Sequence, residues 1–182
     1  LAGANLTEAN LTEANLTEAD LTAADLFRAD LTGANLTEAD LRGANLNGAN
    51  LKGTDLLNVN LGGATMNGAN LTGANLTGAN LTGVNLSQAN LIGANLTRAK
   101  LLDANLSEAT LTGVKLTGVK LAGADLFDAN LNGADLPKTH NEKIKESLRK
   151  LISTGNCKEC PLSGADIPGR DLTGANLTGA NL

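Results

Sequence analysis

Aromatic residues are almost absent from this chain of 182 residues, which has two Phe and neither Tyr nor Trp. An ordinary globular core relies on the area that aromatic side chains bury, and single-stranded nucleic acid is often bound by stacking bases on them. Cationic residues are too few for a phosphate-binding surface, because the 14 Lys and Arg are outnumbered by 19 Asp and Glu, which gives a net charge of −5. The composition therefore argues against direct nucleic-acid binding.

Side chains suited to catalysis are equally scarce, with one His and two Cys. An enzyme needs a convergent set of titratable groups, so we predict no enzymatic activity, no cofactor and no metal site. No apolar run approaches the roughly 20 residues of a membrane span, and no signal peptide is recognisable. Because Leu1 already lies inside a repeat, we expect the native N-terminus to be missing, which leaves the cellular compartment open.

A five-residue repeat occupies residues 1–136. Its central position recurs 28 times from Leu1 to Leu136 and is Leu everywhere except at Met66. In 22 of the 27 later repeats Ala stands two residues earlier, and in 22 Asn or Asp stands one residue earlier. On an α-helix, five residues turn by about 140°, so these leucines would spread around the cylinder. In a straight strand they would alternate between faces.

A coil that bends once in every repeat satisfies this spacing. Ala and Leu are two residues apart, so they point the same way in a short extended segment. A turn after each segment then keeps every pair inward, with Gly at the turn and Asn or Asp bonding nearby backbone groups. The repeat therefore predicts an all-β solenoid with Leu and Ala along its axis. Thr54, at an Ala position, should be buried and should need a backbone partner for its hydroxyl.

The tandem Ala-(Asn/Asp)-Leu-x-x unit closely resembles the pentapeptide-repeat proteins, including cyanobacterial members, over residues 1–136 and 162–182. The resemblance implies a right-handed quadrilateral β-helix with four repeats, or twenty residues, per coil. Residues 1–136 would then make about seven coils, a rod roughly 34 Å long at a strand spacing of about 4.8 Å. Some members of this family are thought to imitate the shape and charge of duplex DNA and to occupy the DNA groove of a type II topoisomerase.

The pattern is interrupted over residues 137–161 and resumes over residues 162–182. Apolar residues at helical spacing predict one inserted α-helix from about residue 140 to 153. Those apolar residues are Ile144, Leu148, Leu151 and Ile152. We expect the helix to pack on a side or an end of the rod, where it would cover open backbone edges. Docking of a partner on this helix is the alternative.

Cys157 and Cys160 form a C-x-x-C pair with four interpretations. A zinc site would need further ligands, and His140 could supply only a third. A redox centre would need a strand–helix setting that the surrounding sequence does not have. A local disulfide that braces the return to the coil and a pair of reduced thiols are the other two. A disulfide would indicate an oxidising compartment, periplasmic or lumenal, rather than the cytoplasm.

Surface charge is unevenly distributed along the predicted rod. The first 40 residues have a net charge of −7, whereas residues 41–100 have a net charge of +3. Twenty-residue coils would stack Lys100 on Lys120, with Lys115 on the adjacent side. The acidic end is compatible with an ordinary solvated surface and, as the more specific alternative, predicts a surface for a basic protein partner. The residues assigned to that surface are Glu8, Glu13, Glu18, Asp20 and Asp40.

Three functions are compatible with this sequence. The first is a rigid scaffold or protein-interaction module, and the second is a DNA-mimicking inhibitor of a type II topoisomerase. The third is an ice-binding surface, suggested by Thr after many of the leucines. One Thr column would be broken only by Leu57, and the next column contains Lys52 and Ile92. Open backbone edges at the coil termini also predict a homodimer or end-to-end stacking.

Overall fold

The structure, a computed structural model, describes residues 1–135, and these form one continuous coil with a repeat of twenty residues. Its sheets consist of isolated parallel bridges, one residue in each repeat, from Asn5↔Asp25 to Lys115↔Asp135. Every bridge joins residues twenty apart, so four repeats complete one coil. The predicted solenoid and its twenty-residue period are therefore confirmed over the described part of the chain.

A tight turn follows each Leu and produces the bend that the five-residue spacing requires. The N–H of Ala4 donates to the carbonyl of Leu1 at 3.0 Å, and the same bond recurs along the coil, for example from Ala74 to Leu71 at 3.0 Å. The third residue of each turn has a positive φ: fifteen are Gly and twelve are other residues. This geometry is that of a type II turn, which explains why Gly is frequent there.

Hydrogen bonds between coils use three further N–H groups of each repeat. In the first repeats, Leu6 donates to Asp25 at 2.7 Å, Gly3 donates to Thr22 at 2.8 Å, and Asp25 donates to Ala4 at 2.9 Å. Each kind recurs once per repeat through the stack. These ladders join the coils, and the core sets their register, because a shifted coil would place polar groups where the leucines should be.

The fifth N–H group explains the Asn or Asp before each Leu. This N–H belongs to the residue after Leu, and it donates a hydrogen bond to the side-chain oxygen of the Asn or Asp two residues earlier. The N–H of Thr7, for example, donates to Asn5 Oδ1 at 3.0 Å. All five backbone donors of such a repeat are thus satisfied. At Thr65 the hydroxyl donates to the side chain of Asn45 at 3.3 Å, and the N–H of Asn67 donates instead to the side chain of Asn47 in the preceding coil, at 2.8 Å.

The axis of the coil is a buried column made mostly of Leu and Ala. From Leu21 onward nearly all of these side chains are buried, including Met66, Leu76 and Val84. Thr54 is the one polar residue among the buried side chains of residues 1–135, and its hydroxyl donates to the carbonyl of Leu31 at 2.9 Å. The expected backbone partner of Thr54 is therefore present, and the assignment of the Leu ladder to the core is confirmed.

Several features predicted from the sequence fall beyond residue 135. The inserted helix within residues 137–161, the Cys157 and Cys160 pair and the resumed repeats of residues 162–182 all lie outside the described residues. Within residues 1–135 there is no helix long and apolar enough to cross a membrane.

Candidate partner-binding surface

The five acidic residues assigned to a partner surface do not share one side of the coil. Glu8, Glu13 and Glu18 occupy equivalent turn positions in three consecutive repeats, with φ of 56°, 57° and 57°. They therefore surround the first coil, one at each of three successive corners. Asp20 and Asp40, in contrast, lie one above the other in adjacent coils, joined by a parallel bridge. The structure thus splits the predicted surface into an acidic ring and an acidic column.

The column that begins with Asp20 and Asp40 continues along the described rod, and the charge of its side chains changes from negative to positive. Parallel bridges connect its members at each coil, and all the members precede an axial Leu. We call it the polarised column: Asp20, Asp40, Asn60, Asn80, Lys100 and Lys120. Its two central amides are bonded, with Asn80 donating to Asn60 at 2.9 Å. The predicted stacking of Lys100 on Lys120 is confirmed, and the bridge between Asn95 and Lys115 places Lys115 in the neighbouring column.

A corner next to the polarised column repeats the same order of charges. Each of its members has a positive φ, and together they form the polarised corner: Glu18, Glu38, Asn58, Gly78, Arg98 and Gly118. The N–H of Glu38 donates to Leu57 at 2.9 Å, and that of Arg98 donates to Thr117 at 2.9 Å, within a continuous ladder. The residues assigned from the sequence missed Glu38 and Arg98, although counting in steps of twenty from Glu18 would have found both.

Hydrogen bonds hold the carboxylates of the first two coils in place. The Thr32 hydroxyl donates to Asp30 at 2.6 Å and the Thr32 N–H donates to the same oxygen at 3.0 Å. Both bonds favour the ionised carboxylate, so they lower the pKa of Asp30, and Thr22 lowers the pKa of Asp20 in the same way. The Arg42 guanidinium, which donates to both oxygens of Asp40, lowers the pKa of that carboxyl.

Replacing Thr32 by Val is expected to raise the pKa of Asp30 toward its ordinary value, because the hydroxyl bond is the main cause of its depression. A carboxyl with a depressed folded-state pKa stabilises the fold above its unfolded-state pKa, and this contribution is lost as pH falls through the folded-state value. Thr32→Val should therefore lose less stability than the parent as the pH falls below about 4, the ordinary pKa of Asp.

Carbon-detected NMR titration of the Asp30 carboxyl, with thermal melts at each pH, measures both effects. Thr72→Val is the matched control, because Thr72 makes the same two bonds to Asn70, which does not titrate. An unchanged Asp30 pKa in Thr32→Val, or an equal shift in Thr72→Val, would contradict this cause.

The outward Thr column is the surface that the sequence suggested for ice binding. The hydroxyls of Thr17, Thr77 and Thr97 donate to the Asn two residues earlier, at 2.6 to 2.7 Å. Their protons are therefore directed at the protein rather than at water, and Leu57 interrupts the column, both of which disfavour ice binding.

Phe27 lies beside Arg28, whose guanidinium is 5.0 Å from the ring centre, and Phe127 is exposed. In residues 1–135 no group of three His, Cys, Asp or Glu could hold a metal ion.

The repeats match the family model described as pentapeptide repeats, with eight copies. The matched residues are 1–33, 34–73, 69–101, 104–140 and 156–182. No curated protein matches the chain at a significant level.

Three solved structures are similar to this chain. A pentapeptide repeat protein from the Arabidopsis thaliana thylakoid lumen is 30% identical over 63% of this chain and 74% of its own, with a TM-score of 0.52. HetL, from the cyanobacterium Nostoc, is 39% identical over 75% of this chain and 76% of its own, with a TM-score of 0.33. QnrB1, a plasmid-mediated fluoroquinolone resistance protein, is 18% identical over 92% of this chain and 89% of its own, with a TM-score of 0.38.

The match to the thylakoid-lumen protein implies a right-handed quadrilateral β-helix, which agrees with four repeats per coil in the described residues. HetL is itself a pentapeptide repeat protein, and it is involved in the regulation of heterocyst differentiation.

Proposed function

Because this chain belongs to the pentapeptide-repeat family, we propose that it is a non-catalytic, rigid scaffold that presents a protein-interaction surface. One observation carries the proposal: the backbone donors of each regular repeat are bonded within the coil, so outward side chains are held in fixed columns. The core uses the two inward positions of each repeat, and Asn or Asp satisfies a backbone donor, which leaves the turn residues outside the coil free to vary. Such a molecule recognises a partner through shape and charge rather than through chemistry at a pocket.

The acidic ring is the part of this surface that we assign to a basic protein partner. Glu8, Glu13 and Glu18 are exposed, and Glu8 forms only a long contact with Arg28, at 3.9 Å. Exposed pairs of this kind contribute little stability, so the carboxylates stay available to another molecule. A ring of charges on a rigid support also accelerates encounter with an oppositely charged partner.

Affinity capture from the source extract, followed by mass spectrometry, tests this assignment. Glu8→Gln, Glu13→Gln and Glu18→Gln together should release the basic proteins that the parent retains. Gln88 already occupies this turn position, with φ of 59°, so the exchange is compatible with the backbone. The matched control removes three acidic charges from turns near the other end, through Asp103→Asn, Glu108→Gln and Asp128→Asn. Equal capture by both triple variants would overturn the assignment.

A DNA-mimicking inhibitor of a type II topoisomerase is the second candidate, favoured by the charge of the first two coils. Duplex DNA carries one charge per about 1.7 Å, or about six over the roughly 10 Å of two coils. Residues 1–40 have a net charge of −7, a comparable density. Residues 41–135 contain six acidic and six basic residues, so the likeness ends after about three base pairs. We therefore rank this function below the scaffold.

Supercoiling by a type II topoisomerase, with and without the protein, separates the two functions. A scaffold of this charge distribution should leave the rate of supercoiling unchanged. Inhibition that disappears in the variant Glu8→Gln, Glu13→Gln and Glu18→Gln would instead support the DNA mimic.

A further inference from the structure

In two neighbouring columns of the rod, the side chains change from acidic through neutral to basic from the first coil toward the last. The polarised column runs from Asp20 to Lys120, and the polarised corner runs from Glu18 to Gly118 with Arg98 as its basic residue. Both change sign at the same height, between the coils of Asn60 and Asn80. Together they form one polarised face of six coils.

The two halves of this face have opposite charges of similar size. Its acidic half contains Glu18, Asp20, Glu38 and Asp40, a charge of −4, which Arg42, outside the two columns but paired with Asp40, reduces to −3. Its basic half contains Arg98, Lys100 and Lys120, for a net charge of +3. Within residues 1–135 none of the three cations of the basic half forms an ion pair, since the ion pairs there are those of Arg28 and Arg42.

We propose that the polarised face binds the same face of a second copy of this chain, with the two rods antiparallel. The two-fold axis would run along the extended segments, between the coils of Asn60 and Asn80. A rotation about this axis inverts the height along the rod and leaves each column opposite itself. Asp20 then faces Lys120 of the other copy, Asp40 faces Lys100, and Glu38 faces Arg98. Asn60 faces Asn80 of the other copy, so uncharged amides lie opposite each other at the centre of the interface.

The antiparallel arrangement is the one that the charges select. Parallel rods would set Asp20 against Asp20 and Lys120 against Lys120, and like charges placed opposite each other are repulsive. The antiparallel pairing makes three oppositely charged contacts on each side of the axis. Thr37 and Leu57 lie beside the axis opposite Thr97 and Thr77, so no bulky aromatic side chain separates the two backbones.

The size of the face predicts weak association. Five steps of about 4.8 Å give a length of about 24 Å, and three extended residues give a width of roughly 10 Å. This area is far below the roughly 800 Å² per partner of a stable interface. Exposed ion pairs add little individually and are screened by salt. The dimer should therefore form at high protein concentration in about 10 mM salt, where the screening length of about 30 Å exceeds the length of the face.

Sedimentation velocity on the full chain, with pairs of charge-reversed variants, tests this interface. The acidic-half variant is Asp20→Lys with Glu38→Arg, and the basic-half variant is Arg98→Glu with Lys120→Asp. Each alone should be monomeric at concentrations at which the parent dimerises, with association weakened at least tenfold. A mixture of the two should dimerise again, because each reversed group meets its reversed counterpart across the axis. Every substitution introduces a residue type that other repeats carry at that position, so folding should be retained.

A reversal away from the polarised face provides the control. Glu108→Arg with Asp125→Lys changes the charge by the same amount as the acidic-half variant and should leave the dimer intact. Raising the salt to about 0.5 M should dissociate the parent. The proposal is overturned by a parent that stays monomeric in low salt, by dimers that resist both salt and the variants, as stacking through coil ends would, or by a mixture that fails to associate.

Discussion

Leu76→Asp is expected to abolish the folded rod. Leu76 is fully buried in a central coil, and its neighbours along the axis are other Leu and Ala side chains. An unpaired carboxylate in such a place costs several kcal/mol, and a protonated one still lacks a hydrogen-bond partner. The lost Leu burial adds about 1.5–3 kcal/mol. Because a domain of this size is stable by only about 5–15 kcal/mol, the sum removes most of its stability.

Far-UV circular dichroism and a thermal melt measure this loss. The control is Thr77→Asp, which introduces the same carboxylate at the next residue but outside the axis, and it should change stability by less than about 1 kcal/mol. Leu76→Met should also be tolerated, since Met66 is fully buried at an axial position already. A Leu76→Asp protein that melts with the parent would mean that the leucines do not form the core.

Much of the fold follows from the sequence because one requirement repeats 28 times. Ala and Leu two residues apart must share a side, and only a bend in every repeat keeps them together. The burial of Thr54 against a backbone carbonyl follows from the same reasoning. The four-sided shape does not follow from spacing alone, because a five-residue unit closes equally well into coils of other sizes. That number came from the family resemblance, and the bridges between residues twenty apart confirm it.

The surface was harder to predict, because it depends on which side chains meet between coils. The sequence indicated an acidic end, yet Glu8 and Glu13 prove to lie at different corners from Glu18. The pairing of Arg42 with Asp40 is a choice of side-chain conformation, which spacing does not determine. The bond from Asn67 to the Asn47 side chain compensates for a local substitution at Thr65, and no rule about single repeats would have found it.

Deleting Gly73 alone is expected to disrupt the rod, whereas deleting the whole repeat of residues 71–75 is not. Removing one residue leaves a four-residue repeat, and beyond it every inward Leu falls one position out of step with the coil beneath. Polar Asn side chains would then face the axis, as happens when a β-strand slips by one residue. Removing five residues keeps every Ala and Leu inward and rebuilds the same ladders with the next repeat along the chain.

Thermal melts of the two deletion proteins measure this difference, and we expect only the shorter deletion to lose its cooperative transition. The five-residue deletion has a second consequence, because it moves all later residues back by one side of the coil. Arg98 and Lys120 then leave the side of Asp20, so this folded protein should lose the antiparallel dimer. Deleting the full coil of residues 61–80 returns them to that side, and dimerisation should reappear. A folded Gly73 deletion would show that the register between coils is not set by the core.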